Sequence, residues 1–379
     1  TAVGYLALSA NSTSGNTALG HRALTANTTG AGNLAIGKDA LYTNTTGNYN
    51  IAIGYDALQQ NNANDNTAVG HDALKLNTTG TDNTAVGHNS LDANTTGSQN
   101  TAVGDQALSS CTTASGMTAV GRNALGSITT ATNCTAVGEN AGDAKTTGDS
   151  LTAVGRNCLT AATGNNNTAV GNNASYAITD GTNNVSMGHY AQMLHNVSNN
   201  TMIGSMAGYD TSGSQNTGIG QGTLNGCSGT NNTCIGHSAS TSAGDSSNQF
   251  TLGNSSVSNL RCADTSISSL SDRRDKTDIV DLPVGLDFIN KVRAVKFKWK
   301  TREGVPAKDG TIRGGFIAQE LQDVMTDFSA SWLDLVHDEN PEKLEAKQGK
   351  LIPVMVQAIK ELSAQNEALV ARITALESN

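Results

Sequence analysis

From residue 1 to about residue 254 one short pattern of apolar and polar positions recurs along the chain. A glycine returns every 16 or 17 residues, from Gly4, Gly20 and Gly37 through to Gly236 and Gly253. The residue before each of these glycines is Val, Ile, Leu or Met, and the third residue after it is small. The unit reads Asn-Thr-Ala-Val-Gly-x-x-Ala-Leu and then a polar loop, often Asn-Thr-Thr-Gly, as in Asn83, Thr84, Ala85, Val86, Gly87, Ser90, Leu91, Asn94, Thr95, Thr96 and Gly97. Such a unit is too short for two helices. Its Thr and Val favour strand and its Asn and Gly favour tight turns. The pattern therefore predicts a β-solenoid over residues 1–254. Each coil is expected to bury its apolar residue against the next and to stack in one dimension. The small residues mark places where backbones approach closely. After Gly171 the leucine slot four residues past the glycine decays to Ser175, Gln192, Gly208 and Ser240, so the later coils are expected to pack differently.

Past a linker at 255–270 the pattern changes. Residues 271–379 read as a small α+β unit. Leu286 to Val292 is a helical candidate. Ala294 to Lys300 alternates strictly, with Val295, Phe297 and Trp299 on one face and three lysines on the other, as in a half-buried strand. Gly304 to Gly310 is rich in turn residues. Gly315 to Leu321 leads into a helix ending near Met325, and Trp332 to Val336 reads as a strand. From Leu351 onward the periodicity is helical, with Pro353 tolerated in the first turn. Ile352, Ile359, Asn366 and Ile373 fall at heptad position a, and Met355, Leu362, Leu369 and Leu376 at position d, which predicts a coiled coil over residues 350–379. Ile at a with Leu at d favours two strands, whereas a three-chain array upstream would favour three; both numbers stay open on the heptads alone.

Composition sharpens the division. All four prolines and both tryptophans lie after residue 270, and all six cysteines before it. Charged residues number 21 among the first 270 residues and 34 among the last 109. The formal net charge of −9 offers no basic footprint for nucleic acid. No apolar run approaches the roughly 18 residues that cross a bilayer, so no membrane insertion is expected. The chain opens inside a repeat at Thr1, as a piece of a longer protein would. Cys158 and Cys234 stand where other repeats have Ala and read as small core residues. Cys111, Cys134, Cys227 and Cys262 lack the paired spacing of a zinc site. His21, His71, His88, His189 and His237 each follow the repeat glycine, at a position other repeats fill with Tyr, Lys, Arg, Asp or Glu. That is the mark of an exposed, tolerant site rather than a metal ladder. Neither a metal nor a cofactor is expected. No paired carboxylates stand out in the array, which argues against a polysaccharide-degrading spike.

The repeat array resembles the head repeats of trimeric autotransporter adhesins, with a unit two or three residues longer. The resemblance implies three β-solenoid chains side by side. Four blocks of the C-terminal part carry a second one: Ser271-Asp272-x-Arg274-x-Lys276-x-x-Ile279, Phe297-x-Trp299-Lys300, Gly315-Phe316-Ile317-Ala318-Gln319-Glu320 and Ala358-Ile359-Lys360-Glu361-Leu362. Together they resemble the intramolecular chaperone domain of phage tail spikes and fibres of the endosialidase type, a family of self-cleaving serine peptidases. A tyrosine common before the long helix in that family is replaced here by Lys347-Gln348-Gly349-Lys350. The resemblance implies a domain that trimerises, drives folding of the upstream β-structure and then cuts itself off between Leu270 and Ser271. Ser271 would be the nucleophile, Lys276 the base, and Asp272 and Arg274 their supports.

The chemistry these roles require is definite. A serine beside its own scissile bond attacks the preceding carbonyl in an N-to-O acyl shift, and water then hydrolyses the ester. A lysine takes the hydroxyl proton only when neutral, against an ordinary pKa of about 10.4 for that side chain. Burial, Arg273 and Arg274 favour the neutral form, while Asp272 and Asp275 oppose it. An offset of five does not share a helix face, so a bend, or a lysine from a neighbouring subunit, is required. The blander reading is that Ser271 and Asp272 cap a turn and Lys276 is a solvated charge. The expected protein is a homotrimeric phage tail fibre or spike of the virion tail, contacting a host surface receptor or glycan through the array. A surface adhesin with a permanent, uncleaved trimerisation domain is the alternative.

Overall fold

The repeating pattern closes into coils stacked one on another. The computed structural model describes residues 1–143, 148–257, 259–261, 271–298, 311–342 and 344–378. Leu270, Cys262, Trp299 and the loop 304–310 lie outside the described residues, so the expectations resting on them have no structural counterpart here. The chain divides into two units, Thr1–Asn259 and Leu260–Asn379.

In the first unit sixteen short strands, β1 (Ala2–Val3) to β16 (Phe250–Leu252), pair in strict sequence order as one parallel sheet. Each strand contributes one rung, in register with the equivalent residues of the next coil; Ala85 faces Ala102 and Ala102 faces Ala119. Three residues per strand leave one side chain for the interior and two for the outside, because successive Cβ atoms alternate. The interior residue is the central one, a fully buried Ala from Ala18 through Ala169, then Ser186, Met202, Gly218 and Cys234. The expected burial of the apolar residue before the glycine is therefore corrected. That residue faces outward, and none of the sixteen is buried.

The coil interior is narrow, and its second wall explains why. The Ala and Leu that follow the glycine turn inward from a loop whose second and fourth residues are left-handed, as at Arg22 (φ 56°) and Leu24 (φ 51°). A left-handed conformation costs a leucine roughly 1–2 kcal/mol, and full burial returns about 1.5–3 kcal/mol. The repeat glycine serves a different end. Gly87 adopts φ 138°, and a Cβ there would collide with the carbonyl oxygen of Gly104 in the next coil. Glycine is what permits the coils to stack at strand spacing.

Buried asparagines complete each coil. Along one column the backbone N–H of Asn33 donates to Asn16 Oδ1 and that of Asn50 to Asn33 Oδ1, both at 2.9 Å. In a second column Asn27 Nδ2 donates to Asn11 Oδ1 at 2.7 Å, and the side-chain chain continues through Asn44, Asn61 and Asn77 to Asn94. Both columns change at the next coils, where Cys111 and Ile128 replace one set and Met117, Cys134 and Leu151 the other, all buried. Asn94 Oδ1, facing that change, is a buried oxygen with no partner.

Where the leucine slot lapses, the interior compensates. It lapses already at Gly142, where the side chain of Leu125 occupies the space a Cβ would need. Ser175, Ser186, Gln192 and Asn184 form a buried hydrogen-bonded chain, with Ser175 Oγ donating to Ser186 Oγ at 2.7 Å and Ser186 Oγ to Gln192 Oε1 at 2.9 Å. At Gly208 the missing leucine is replaced by Met202, which enters from the neighbouring strand position. The five described cysteines are free and buried. Burial pushes the Cys158 thiol up to about 12 and Cys111 up to about 11, which marks packing residues rather than reactive thiols.

The second unit has helices α1 (Leu286–Lys291), α2 (Ala318–Asp327) and α3 (Ile352–Glu377). Its strands are the antiparallel pairs β17 (Val295–Phe297) with β18 (Arg313–Gly315) and β19 (Val336–His337) with β20 (Glu345–Ala346). Phe288, Leu321, Leu335, Leu351 and Val354 form its core, with Phe328 edge-on to Phe288. The strand expected over Trp332 to Val336 is shortened. Ser331–Leu333 forms a 3-10 turn and Asp334 is left-handed (φ 49°), so only Val336 and His337 pair. The carboxylate of Asp334 takes Lys347 Nζ at 2.8 Å and also Lys350, which ties this turn to the residues just before α3.

Candidate active site

Ser271 and Lys276 stand at the two ends of a single 3-10 turn, Arg273–Asp275. Asp272 caps it. Its Oδ1 accepts the backbone N–H of Arg274 at 2.8 Å, and its two oxygens take the Arg274 guanidinium at 2.6–3.1 Å. The turn closes with the N–H of Asp275 donating to Asp272 O and that of Lys276 to Arg273 O, each at 3.2 Å. This is the bend that an offset of five requires. It brings Lys276 Nζ to 2.7 Å from Ser271 Oγ within one chain.

The cap and the Ser271–Lys276 contact are parts of one turn. Asp272 caps the turn, and the turn brings Ser271 and Lys276 together. Pairing with Arg274 holds the Asp272 carboxyl below its usual range, so Asp272 is anionic with its charge committed to Arg274. Ser271 and Lys276 are exposed in the single chain, and the hydrogen bond between them faces solvent.

Beside Lys276 an open cavity of about 520 Å3 is lined by Ile279, Val280, Leu282, Pro283 and Trp332. The pattern of the sequence did not reveal it. Trp332 read as a strand residue, and Ile279 only as part of a motif.

The heptad residues divide from the core residues of the same helix. Val354 and Ala358 of α3 are buried in the unit, and Glu361 Oε2 accepts the backbone N–H of Leu286 at 2.6 Å, fixing α3 to the start of α1. Ile352, Met355, Ile359, Leu362, Asn366, Leu369, Ile373 and Leu376 all lie exposed on this single chain. The helix thus presents an apolar heptad stripe separate from the face it packs inward. Among the described residues no cluster of three metal-ligating side chains occurs, and no helix is long and apolar enough to cross a membrane.

Residues 271–329 match a family model described as the chaperone of endosialidase, and the match begins at Ser271 itself. No curated protein and no solved structure matches the chain. The match and the solenoid together fit an endosialidase-type tail fibre. They support a chaperone and autoprocessing role in a tail-fibre-like protein, with self-cleaving peptidase activity as the general activity of the family.

Proposed function

We propose that this chain is a homotrimeric phage tail-fibre protein of the virion tail, and that its C-terminal unit trimerises, sets the fold of the solenoid and then cuts itself free between Leu270 and Ser271. The observation that carries the reading is the 2.7 Å contact between Lys276 Nζ and Ser271 Oγ at the start of the family match.

In the reaction the neutral Lys276 amine accepts the hydroxyl proton of Ser271, and Oγ attacks the carbonyl carbon of Leu270. The C–N bond of the Leu270–Ser271 peptide breaks as the nitrogen is protonated to become the α-amine of Ser271, leaving Leu270 as an ester on Oγ. Water then hydrolyses the ester to a Leu270 carboxylate and a free Ser271 hydroxyl. Asp272 and Arg274 hold the turn and are positioning residues. The event occurs once per chain and acts on no external substrate.

The logic of a removable chaperone is physical. A stack of similar coils has poor control of register, since a slip of one coil exchanges like for like. A C-terminal clamp that assembles first supplies the register, and its loss by cleavage makes unfolding kinetically one-way. The array is then left to meet a host surface receptor or glycan.

The test is intact mass under denaturing conditions for the wild type and Ser271→Ala. Two wild-type fragments, one ending at Leu270 and one starting at Ser271, with a single uncut mutant chain, are expected. A single full-length wild-type species would leave the unit as a permanent trimerisation domain, as in a surface adhesin.

A further inference from the structure

Asparagine fills many turns of the array, and the fold keeps most of these residues chemically quiet. An asparagine is vulnerable when the backbone nitrogen of the next residue can attack its side-chain carbonyl carbon. Two devices oppose that attack here. The next residue is often Thr, whose branched Cβ crowds the nitrogen. Its N–H is also spent on the neighbouring coil: Ser12 donates to Thr28 O at 3.1 Å, Thr28 to Thr45 O at 2.9 Å and Thr78 to Thr95 O at 2.9 Å.

Both devices fail at Asn225, the one asparagine of the chain that is followed by glycine. Asn225 and Gly226 are exposed, and a Cβ at Gly226 would meet nothing within 4 Å. The N–H of Cys227 closes a turn on Leu224 O at 3.3 Å, and Gly226 at φ 76° stands where a type II turn places glycine. In ordinary coils the same position donates to the next coil, as Ala26 does to Tyr42 O at 3.3 Å and Gln60 to Lys75 O at 3.0 Å. A type II turn has its central peptide flipped relative to type I, which carries this N–H away from the next coil. Among the described residues the N–H of Gly226 finds no acceptor. Asp180–Gly181 is the built-in contrast: Gly181 is buried and its N–H donates to Asn196 Oδ1 at 2.7 Å.

We propose that Asn225 is a site of spontaneous modification. The Gly226 nitrogen gives up its proton and attacks the side-chain carbonyl carbon of Asn225. The C–N bond of the side-chain amide breaks, ammonia leaves and a succinimide ring closes. Water then opens the ring at either carbonyl, leaving aspartate or, with the backbone rerouted through the side chain, isoaspartate. Water is the only co-reactant. A neutral surface turn gains a carboxylate, and in the isoaspartate form an extra backbone carbon between the buried Leu224 and Cys227. The mark accumulates with time and forms faster as pH rises, because the attacking nitrogen must shed its proton.

The test is peptide mass mapping of the full chain, as wild type and Asp180→Asn, after incubation in mildly alkaline buffer, with circular dichroism to check the fold. In the wild type, position 225 is expected to convert before any other asparagine and to give two products of equal mass. The Asp180→Asn variant carries a second Asn-Gly pair whose nitrogen is held. Position 180 should convert at least about tenfold more slowly than position 225, since a buried hydrogen bond must break first. In denaturant the two positions should convert alike. Equal rates in the folded chain, a difference that persists in denaturant, or no preference for position 225 in the wild type would each overturn the inference. None of these outcomes depends on self-cleavage or on how many copies assemble.

Discussion

The solenoid draws its core from alanine, leucine and asparagine supplied coil by coil, whereas the C-terminal unit gathers Phe288, Leu321, Leu335 and Val354 from segments far apart in sequence. In the array most backbone hydrogen bonds between coils join residues 16 or 17 apart, and the partner one coil further on is often the same residue type. In the C-terminal unit each partner is distinct, so one arrangement satisfies it. The difference shows why a fold made of near-identical repeats benefits from a separate unit whose own register is unambiguous. The array is not wholly uniform. Its apolar coils around Met117, Cys134 and Leu151, the buried Ser175–Ser186–Gln192 chain and the Met202–Gly208 exchange each give a local reason to prefer one register.

The largest expected effect sets a solenoid glycine against one in the C-terminal unit. Gly87→Ala places a Cβ against the Gly104 carbonyl at φ 138°, in a column whose coils are equally tight on both sides. Loss of more than about 4 kcal/mol, enough to disrupt the coils around it, is expected. Gly349→Ala meets open space and should stay within about 0.5 kcal/mol. Denaturant unfolding followed by circular dichroism compares them. A mild Gly87→Ala would show that the coils tolerate separation and that the repeat glycine has some other cause.

Next comes a change confined to the C-terminal unit. Lys276→Ala should slow self-cleavage by about 10²–10⁴-fold, the usual contribution of a positioned base, while leaving the circular dichroism of the solenoid unchanged. Fragment yield against time, read by mass, is the measurement. An unaltered rate would remove Lys276 from the chemistry and leave its contact with Ser271 as a turn feature.

The repeat period, the strand in each unit, the glycine column and the long helix were all legible in the sequence, because each rests on residue types that local geometry restricts. The direction of the strands was not. An apolar residue beside a glycine reads as core, and only the width of the closed coil shows that Ala102 fits inside while Val103 must face out. The lapse of the leucine slot at Gly142 likewise went unread, because Leu125 from the preceding coil fills the space. In the C-terminal unit the pairing of Ser271 with Lys276 was legible only through resemblance. Its geometry depends on Asp272 capping a 3-10 turn, which residue spacing alone does not specify. Asp334 went unread for a similar reason, since its carboxylate pairs with lysines thirteen and sixteen positions away.

A smaller effect probes the asparagine columns. Asn77→Ala removes two hydrogen bonds donated by Asn77, to Asn61 Oδ1 and Gly80 O, and the one it accepts from Asn94 Nδ2. A cost of about 1–3 kcal/mol is expected, since buried partners are left behind. Cys111→Asn is the informative counterpart. It gives the unpartnered Asn94 Oδ1 a donor, yet the same slot of the next coil is Ile128, so the new amide oxygen is stranded in turn. The orphan moves by one coil and the net change should be near zero. A clear gain would mean that the apolar coils have room for water or a shifted amide.

The smallest effect returns to the C-terminal unit and is read by pH. Lys347 and Lys350 hold the Asp334 carboxyl down at about 2, against an ordinary value near 3.9. A depressed carboxyl stabilises the fold above its unfolded value and loses that contribution as pH falls through its folded one. The contribution of Asp334 is therefore complete above about pH 4 and gone by about pH 2. The three side chains are about a third to a half exposed, so the term is a surface one of about 0.2–1 kcal/mol. Both tryptophans lie in the C-terminal unit, and their emission follows its unfolding without interference from the array. The stability difference between wild type and Asp334→Asn should be constant above pH 4 and vanish between 4 and 2. No difference at any pH would show that Asp334 acts through its left-handed backbone, which Asn also tolerates, and not through the two lysines.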